Sequence, residues 1–284
     1  MIPKRIFFYW GNEKMSWMRY MTLFSFAKYN PDFKITLYYN TQLNTEKTWN
    51  NHNEQDFFKY KQKNYIDEIK KLNVEIKEWE IPQEILSSDF YKIITPSQLS
   101  NMFKFHMLAK EGGIYSDMDI LYHRSLSDWL KQINDNNYDT GICQTCHLSI
   151  GFLFSAGNND FYGDIFKNNI KSFHSKNYQS AGVLNIYNLY KVGPAKVLEE
   201  AIRKYPNLKF YNIPMNLVYP YNSTQITYAF SHDIDPETLP EETIGYHWYA
   251  GHPICQKHNN EINKNSYGNY KNLFCNLCNY ILEN

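Results

Sequence analysis

The stretch Thr95-Pro-Ser-Gln-Leu-Ser-Asn-Met-Phe-Lys-Phe-His-Met-Leu-Ala-Lys-Glu-Gly-Gly-Ile-Tyr-Ser-Asp-Met-Asp119 reads as a capped helix, a glycine stop and a short strand that ends in two carboxylates. Thr95 is the N-cap, Pro96 suits the first helical position, and Gln98 completes a capping box. Leu99, Met102, Phe103 and Met107 recur at helical spacing and are expected in the core. Ser97, Asn101 and Lys104 share another face. Gly112 and Gly113 end the helix and let the backbone turn sharply. Alternation along Ile114 to Ile120 then projects Tyr115, Asp117 and Asp119 from one side of a strand. Two like charges this close repel, and a buried pair is strongly destabilising without a cation or a shared proton. The arrangement asks for a divalent metal.

Strands and helices alternate upstream of this stretch. Ile6 to Trp10 is an apolar, β-prone run closed by Gly11-Asn12, and Trp17 to Tyr29 is a helix stopped by Asn30-Pro31. Phe33 to Tyr39 forms a second strand. Residues 41 to 72 are read as helical, covering one edge of the sheet, and Val74 to Trp79 as a third strand. The order predicts an α/β fold, Rossmann-type, with a mostly parallel central sheet and helices on both faces. Ligands of such sheets sit beyond the carboxyl ends of the strands, where Asp117 and Asp119 fall. Past residue 125, Gly151 to Ser155 is expected as a strand and Ala195 to Lys204 as a helix. The Asn-rich tail from Asn259 closes with an amphipathic piece, Leu273 to Leu282. Neither internal repeats nor a Gly/Ser/Pro linker interrupts the chain, so residues 1–284 are read as a single domain.

Bulk composition narrows the functional classes. With 29 basic against 29 acidic residues, no overall field attracts nucleic acid or anionic membrane. Five cysteines in 284 residues argue for a reducing compartment rather than a disulfide framework. No signal peptide or membrane-spanning run is visible, which gives a cytoplasmic expectation. A 17% aromatic share suits sugar binding, and a compositional bias of the source genome accounts for it equally well. Cys143-x-x-Cys146-His147 and Cys275-x-x-Cys278 raise a structural zinc site as an alternative. Against it, the second pair lies in an apolar helical run, where cysteine behaves as a small hydrophobe.

Gly112-Gly-Ile-Tyr-Ser-Asp-Met-Asp119 resembles the signature of glycosyltransferases with a DXD sugar-binding region, and is most similar to glycosyltransferase family 32 and the related clostridial toxin glucosyltransferase domains. That family carries SDxxRxxxLxxxGGxYxDxD. The matching residues are Ser100, Asn101, Lys104, Leu108, Gly112, Gly113, Tyr115, Asp117 and Asp119. The opening Ile2-Pro-Lys-Arg-Ile-Phe-Phe-Tyr-Trp-Gly11, then Gly193-Pro194, Val218-Tyr219-Pro220 and Gly245-Tyr-His-Trp-Tyr-Ala-Gly251 resemble further family anchors in the same order. A lone D-x-D is nearly worthless, whereas one following a GGxY turn and a matching helix is specific. The family's helix Asp and Arg are Asn101 and Lys104 here, and its closing Ser-Trp is His252-Pro253. Lys offers a point charge without the bidentate fork of Arg.

The resemblance implies a GT-A-like fold and metal-dependent transfer of a hexose from a nucleotide-sugar donor, UDP-linked rather than GDP-linked, to a glycan or protein acceptor, with retention of anomeric configuration. Residues 1–125 then bind the donor, 126–258 face the acceptor, and 259–284 form a tail. Asp119 is expected to bind the metal directly, and Asp117 to contact the donor's ribose or sugar and reach the metal through water. Carboxylates suit Mg2+ or Mn2+, and an imidazole from His247 or His252 tips the choice to Mn2+. Trp10, with Tyr9 beside it, is expected to stack on the base, Lys104 to face phosphate, and Ser100, Asn101, Gly113 and Tyr115 to line the donor site. Read without the resemblance, Trp10 serves equally as a core aromatic, Lys104 as a solvated helix residue, and Asn101 as a surface position. A non-catalytic nucleotide-sugar or glycan-binding protein of the same fold is the alternative function.

Overall fold

The structure, a computed structural model, describes residues 1–11, 13–40, 60–173 and 178–283. Strand β1 (Arg5–Tyr9) sets the layers. Its period of two sends Ile6 and Phe8 into one apolar cluster and Phe7 and Tyr9 into another, on opposite faces of the sheet. β2 (Lys34–Tyr39) and β3 (Glu75–Glu78) extend the sheet on one side, each parallel to its neighbour. β4 (Gly113–Ser116) pairs with β1 on the other side, also parallel. Beyond β4 and the separate strand β5 (Ile120–Tyr122) come β6 (Thr140–Gln144), β7 (Leu148–Ser155) and β8 (Phe210–Asn212). Among the described residues the central sheet has seven strands in the order β3-β2-β1-β4-β7-β6-β8, with β7 antiparallel to both neighbours. β5 leaves this sheet and pairs with β9 (Gly245–His247).

Helices cover both faces. On the Ile6 and Phe8 face lie α1 (Trp17–Tyr29) and the short α2 (Ile66–Ile69), which contributes Ile69 to that cluster. On the opposite face, α3 (Gln83–Leu86) and α4 (Pro96–Lys110) pack through Ile85, Leu99, Met102 and Phe103. α5 (Ser127–Asp135) returns to the first face through Leu130 and Ile133. α6 (Asp160–Ser172), α7 (Val183–Tyr190) and α8 (Val197–Lys204) build the second. α9 (Ile226–Ser231), α10 (Pro253–Glu261) and α11 (Leu273–Glu283) close the first, and the amphipathic tail is thereby docked into the core. Among the described residues no helix is long and apolar enough to cross a membrane.

Two sequence expectations change. The helix expected over residues 41–72 lies in large part outside the described residues, and within 60–72 only Ile66–Ile69 is α-helical. The strand expected from Ile114 to Ile120 stops at Ser116. Asp117, Met118 and Asp119 form a turn, because the Asp117 N–H still donates to Gly151 O at 2.7 Å while Ile120 already pairs with His247 in the other sheet. The two carboxylates therefore stand on a bend between sheets, not on one face of a strand.

Candidate metal and donor site

The site forms where β4 ends, at the carboxyl edge of the sheet beside β1, where strands diverge to either side. The motif helix reaches this edge because its ends are fixed. Thr95 and Gln98 close a capping box at the start of α4, and the Glu111 N–H donates to Met107 O at the end. Gly112 then adopts a φ of 66°, and a Cβ there would lie 2.4 Å from the Gly157 backbone nitrogen, so only glycine fits the turn into β4.

Asp117 is held from below. Tyr115 Oη donates to Asp117 Oδ1 at 2.6 Å, and Lys104 Nζ donates to the same oxygen at 3.1 Å and to Ile150 O at 3.1 Å. Ser100 Oγ lies 3.1 Å from Tyr115 Oη. The Lys104 side chain is 2% exposed. Burial pulls its ammonium pKa down, and Asp117 works in the opposite direction. Oδ1 thus serves two donors, and Oδ2 turns toward Gly151, 2.7 Å from where a Cβ of that residue would be.

Asp119 is held from the opposite side. The β5–β9 ladder sets Ile120 opposite His247, which brings His247 Nε2 to 3.2 Å from Asp119 Oδ1. The Ala250 N–H donates to Asp119 Oδ2 at 2.8 Å, and the Trp248 N–H donates to the Asp119 carbonyl at 2.9 Å. Burial alone would raise the Asp119 carboxyl. His247, the Arg19 guanidinium and the Ala250 N–H outweigh it and hold Asp119 well below the usual carboxylate range, so it is ionised at neutral pH.

Ligand atoms of Asp117, Asp119 and His247 all lie within 4.8 Å of one another. Tyr219 closes the pocket over them, its ring centroid 5.0 Å from that of His247. The Tyr219 hydroxyl is buried without a hydrogen-bond partner, and so is His247 Nδ1. Burial first, and then Cys143 and Asp117, push the Tyr219 hydroxyl far above its ordinary pKa, so it stays a donor. A Cβ on Gly151 would sit 2.9 Å from Tyr219 Oη and 3.3 Å from His247 Nε2, as well as against Asp117 Oδ2. The absent side chain leaves a cradle lined by one imidazole, one carboxylate oxygen and one unpartnered hydroxyl. Two carboxylates and an imidazole around such a cradle fit a divalent cation.

The structure gathers Asp117, Asp119, His247, Lys104, Tyr115 and Ser100 around this pocket. Asn101 is buried on α4, its Nδ2 3.0 Å from where a Cβ of Gly182 would be. Trp10 follows β1 at the same sheet edge, donates from Nε1 to Glu13 O at 2.9 Å, and carries the Arg19 guanidinium over its ring. Tyr9 instead points into the second core, its ring 5.0 Å from Phe103. Gly113 starts β4 at the end away from Asp117, with φ 110° and Arg5 Cγ 2.8 Å from a would-be Cβ, so its role there is in the backbone. His252 caps α10 by accepting from the Ile254 N–H at 3.4 Å and stands outside the Asp–Asp–His group. The zinc alternative fails: Cys275 and Cys278 are buried in the α11 core, Cys146 is exposed, and no cysteine joins a metal-capable group among the described residues.

Three site residues carried no assigned role in the sequence. Gly151 is one glycine in a β-strand pattern. Tyr219 lies in the Val218-Tyr219-Pro220 anchor, which marked its place in the chain but not its chemistry. Arg19 is a polar position on α1 with no motif around it.

Residues 14–138, a stretch short of half the chain, match the family model described as a glycosyltransferase sugar-binding region containing a DXD motif. Residues 14–138 thus carry a DXD sugar-binding region of the glycosyltransferase type, set in a mixed α/β fold whose sheet edge gathers an Asp–Asp–His group. Among solved structures the chain is similar to PaToxG glycosyltransferase, at 15% identity and a TM-score of 0.49, over 72% of this chain and 74% of that one. It is also similar to the glycosyltransferase GlyE of Streptococcus pneumoniae, at 14% identity and a TM-score of 0.48, over 99% of this chain and 61% of that one. A third likeness is to the galactosyltransferase LgtC solved with donor and acceptor sugar analogs, at 13% identity and a TM-score of 0.39, over 93% and 99% of the two chains. No curated protein matches the chain.

Proposed function

We propose that the chain transfers a hexose from a nucleotide-diphosphate sugar, UDP-linked in preference to GDP-linked, to a glycan or protein acceptor, with retention of anomeric configuration. The observation that carries this reading is the convergence of Asp117, Asp119 and His247 within 4.8 Å at the carboxyl edge of the sheet. In the transfer the anomeric C–O bond to the diphosphate breaks, and its electron pair leaves on a phosphate oxygen. The acceptor oxygen forms the new C–O bond, and its proton passes to a phosphate oxygen or water.

A divalent cation bound by these residues supplies positive charge to the departing diphosphate. Asp119, ionised and fixed by the Ala250 N–H, is its proposed direct ligand, with His247 favouring Mn2+ over Mg2+. Asp117 presents Oδ2 because Tyr115 and Lys104 occupy Oδ1. The unpartnered Tyr219 hydroxyl is the proposed donor to a ligand oxygen in the cradle. Trp10 at the end of β1 is the proposed stacking surface for the base, and Ser100 and Asn101 line the sugar side. Residues 1–125 form the donor part and 126–258 the acceptor part.

Incubation with a panel of UDP- and GDP-sugars and Mn2+ tests the reading. Donor hydrolysis or transfer that disappears in Asp119→Ala is expected. Nucleotide binding with no turnover on any donor would make the protein a nucleotide-sugar-binding module instead.

A further inference from the structure

Lys104, the residue expected from the sequence to face phosphate, is already committed. Its Nζ pairs with Asp117 Oδ1 and bonds Ile150 O, and its side chain is buried. A nucleoside diphosphate carries more negative charge than one divalent cation cancels. A second cation stands near the site: the Arg19 guanidinium lies over the ring of Trp248, whose N–H donates to the Asp119 carbonyl at 2.9 Å.

Arg19 lies in the first turn of α1, where its N–H donates to the N-cap Ser16 Oγ at 3.3 Å. The guanidinium stands 4.5 Å from the centroid of the Trp10 ring and 5.5 Å from that of Trp248. Trp10 follows the first strand, and Trp248 is tied to Asp119 through its backbone N–H. Two indoles thus flank the cation, one of them bonded through its backbone to Asp119. Among the described residues its side chain makes no hydrogen bond or ion pair, so its N–H fork stays available. The position is also poor for stability. A cation in the first turn opposes the helix dipole, and partial burial desolvates it. A local rule broken without a structural gain points to a ligand.

We propose that Arg19 is a donor-binding residue whose guanidinium takes the oxygens of the diphosphate held against Asp117, Asp119 and His247, and stabilises that group as it leaves. The planar fork of arginine suits bidentate contact with phosphate, and the flanking indoles pre-organise it. This inference rests on the nucleotide-sugar reading above.

Titration of the full chain and of Arg19→Gln and Arg19→Lys with Mn2+ alone, with uridine, and with Mn2+ plus UDP or GDP tests it. Arg19→Gln should bind Mn2+ at least as tightly as wild type, since a repelling charge is gone, and uridine unchanged. Its affinity for Mn2+–UDP should fall at least about tenfold, the loss of a charge-assisted hydrogen bond. Arg19→Lys should fall between the two. Unchanged UDP affinity in Arg19→Gln would overturn the inference, as would parallel loss of Mn2+, uridine and UDP, which marks a structural prop. Wild type that binds Mn2+ but neither nucleotide would instead remove the donor reading, and the role of Arg19 with it.

Discussion

Lys104 Nζ lies 3.1 Å from Asp117 Oδ1, an ion pair that ties the middle of α4 to the turn carrying both aspartates. The lysine is almost wholly buried, while the Asp117 side chain keeps 30% of its surface. The pair turns Oδ2 toward the pocket and commits the lysine charge to Asp117.

Replacing Lys104 with Met should therefore damage orientation and stability together. Loss of one partner of a buried pair costs on the order of 2–3 kcal/mol here, less than for a fully buried pair because solvent reaches Asp117. Thermal unfolding and initial rates check this, with at least about a tenfold fall in turnover expected from the misplaced carboxylate.

Asp119→Asn keeps the shape and the Ala250 contact while removing the charge. Turnover should fall at least about a hundredfold, the scale of losing an electrostatic stabiliser. Rates near wild type would remove Asp119 from the chemistry.

Gly151→Ala adds a methyl 2.7 Å from Asp117 Oδ2 and 2.9 Å from Tyr219 Oη. The fold should persist, since the surrounding strand is unchanged, while Mn2+ affinity falls about tenfold or more through the displaced carboxylate. Mn2+ titration followed by electron paramagnetic resonance reads this directly.

His247→Asn exchanges an imidazole for a harder oxygen or a weak amide. The ratio of Mn2+- to Mg2+-supported activity should drop several-fold, because imidazole favours the transition metal. A ratio equal to wild type would place His247 outside the metal's ligands.

His123 is buried with both ring nitrogens unpartnered, and burial, with Arg124 beside it, lowers its pKa from 6.5 to about 4. The unfolded chain takes up this proton first, so the contribution to stability is complete above pH 6.5 and is lost as pH falls toward 4. Between pH 7 and pH 5 that amounts to about 2 kcal/mol, measurable by urea unfolding at the two pH values. A His123→Phe variant should flatten the dependence.

Much of the fold could be read from the residues because local rules agreed. Thr95, Pro96 and Gln98 specified the start of α4, Gly112 its end, and the unbroken apolar run from Ile6 a strand. The turn at Asp117 to Asp119 could not be read, since a period-two pattern runs unbroken through Ile120. What breaks the strand is pairing with Gly245–His247, more than a hundred residues away. That pairing also brings one of the two candidate histidines to the aspartates. His247 sits on the ladder opposite Ile120, whereas His252, five positions on, is drawn into capping α10. Lys104 carried a recognisable position but not its partner. Arg19 gave no local signal, because its setting is made by Trp10 and Trp248 from opposite ends of the chain.

Anomalous diffraction from crystals grown with Mn2+ and UDP tests the cation site most directly. A manganese peak bridged by Asp119, Asp117 and His247, with the diphosphate against it, is the expected result. Crystals that contain bound UDP but show no peak there, or a peak held by other residues, would contradict it.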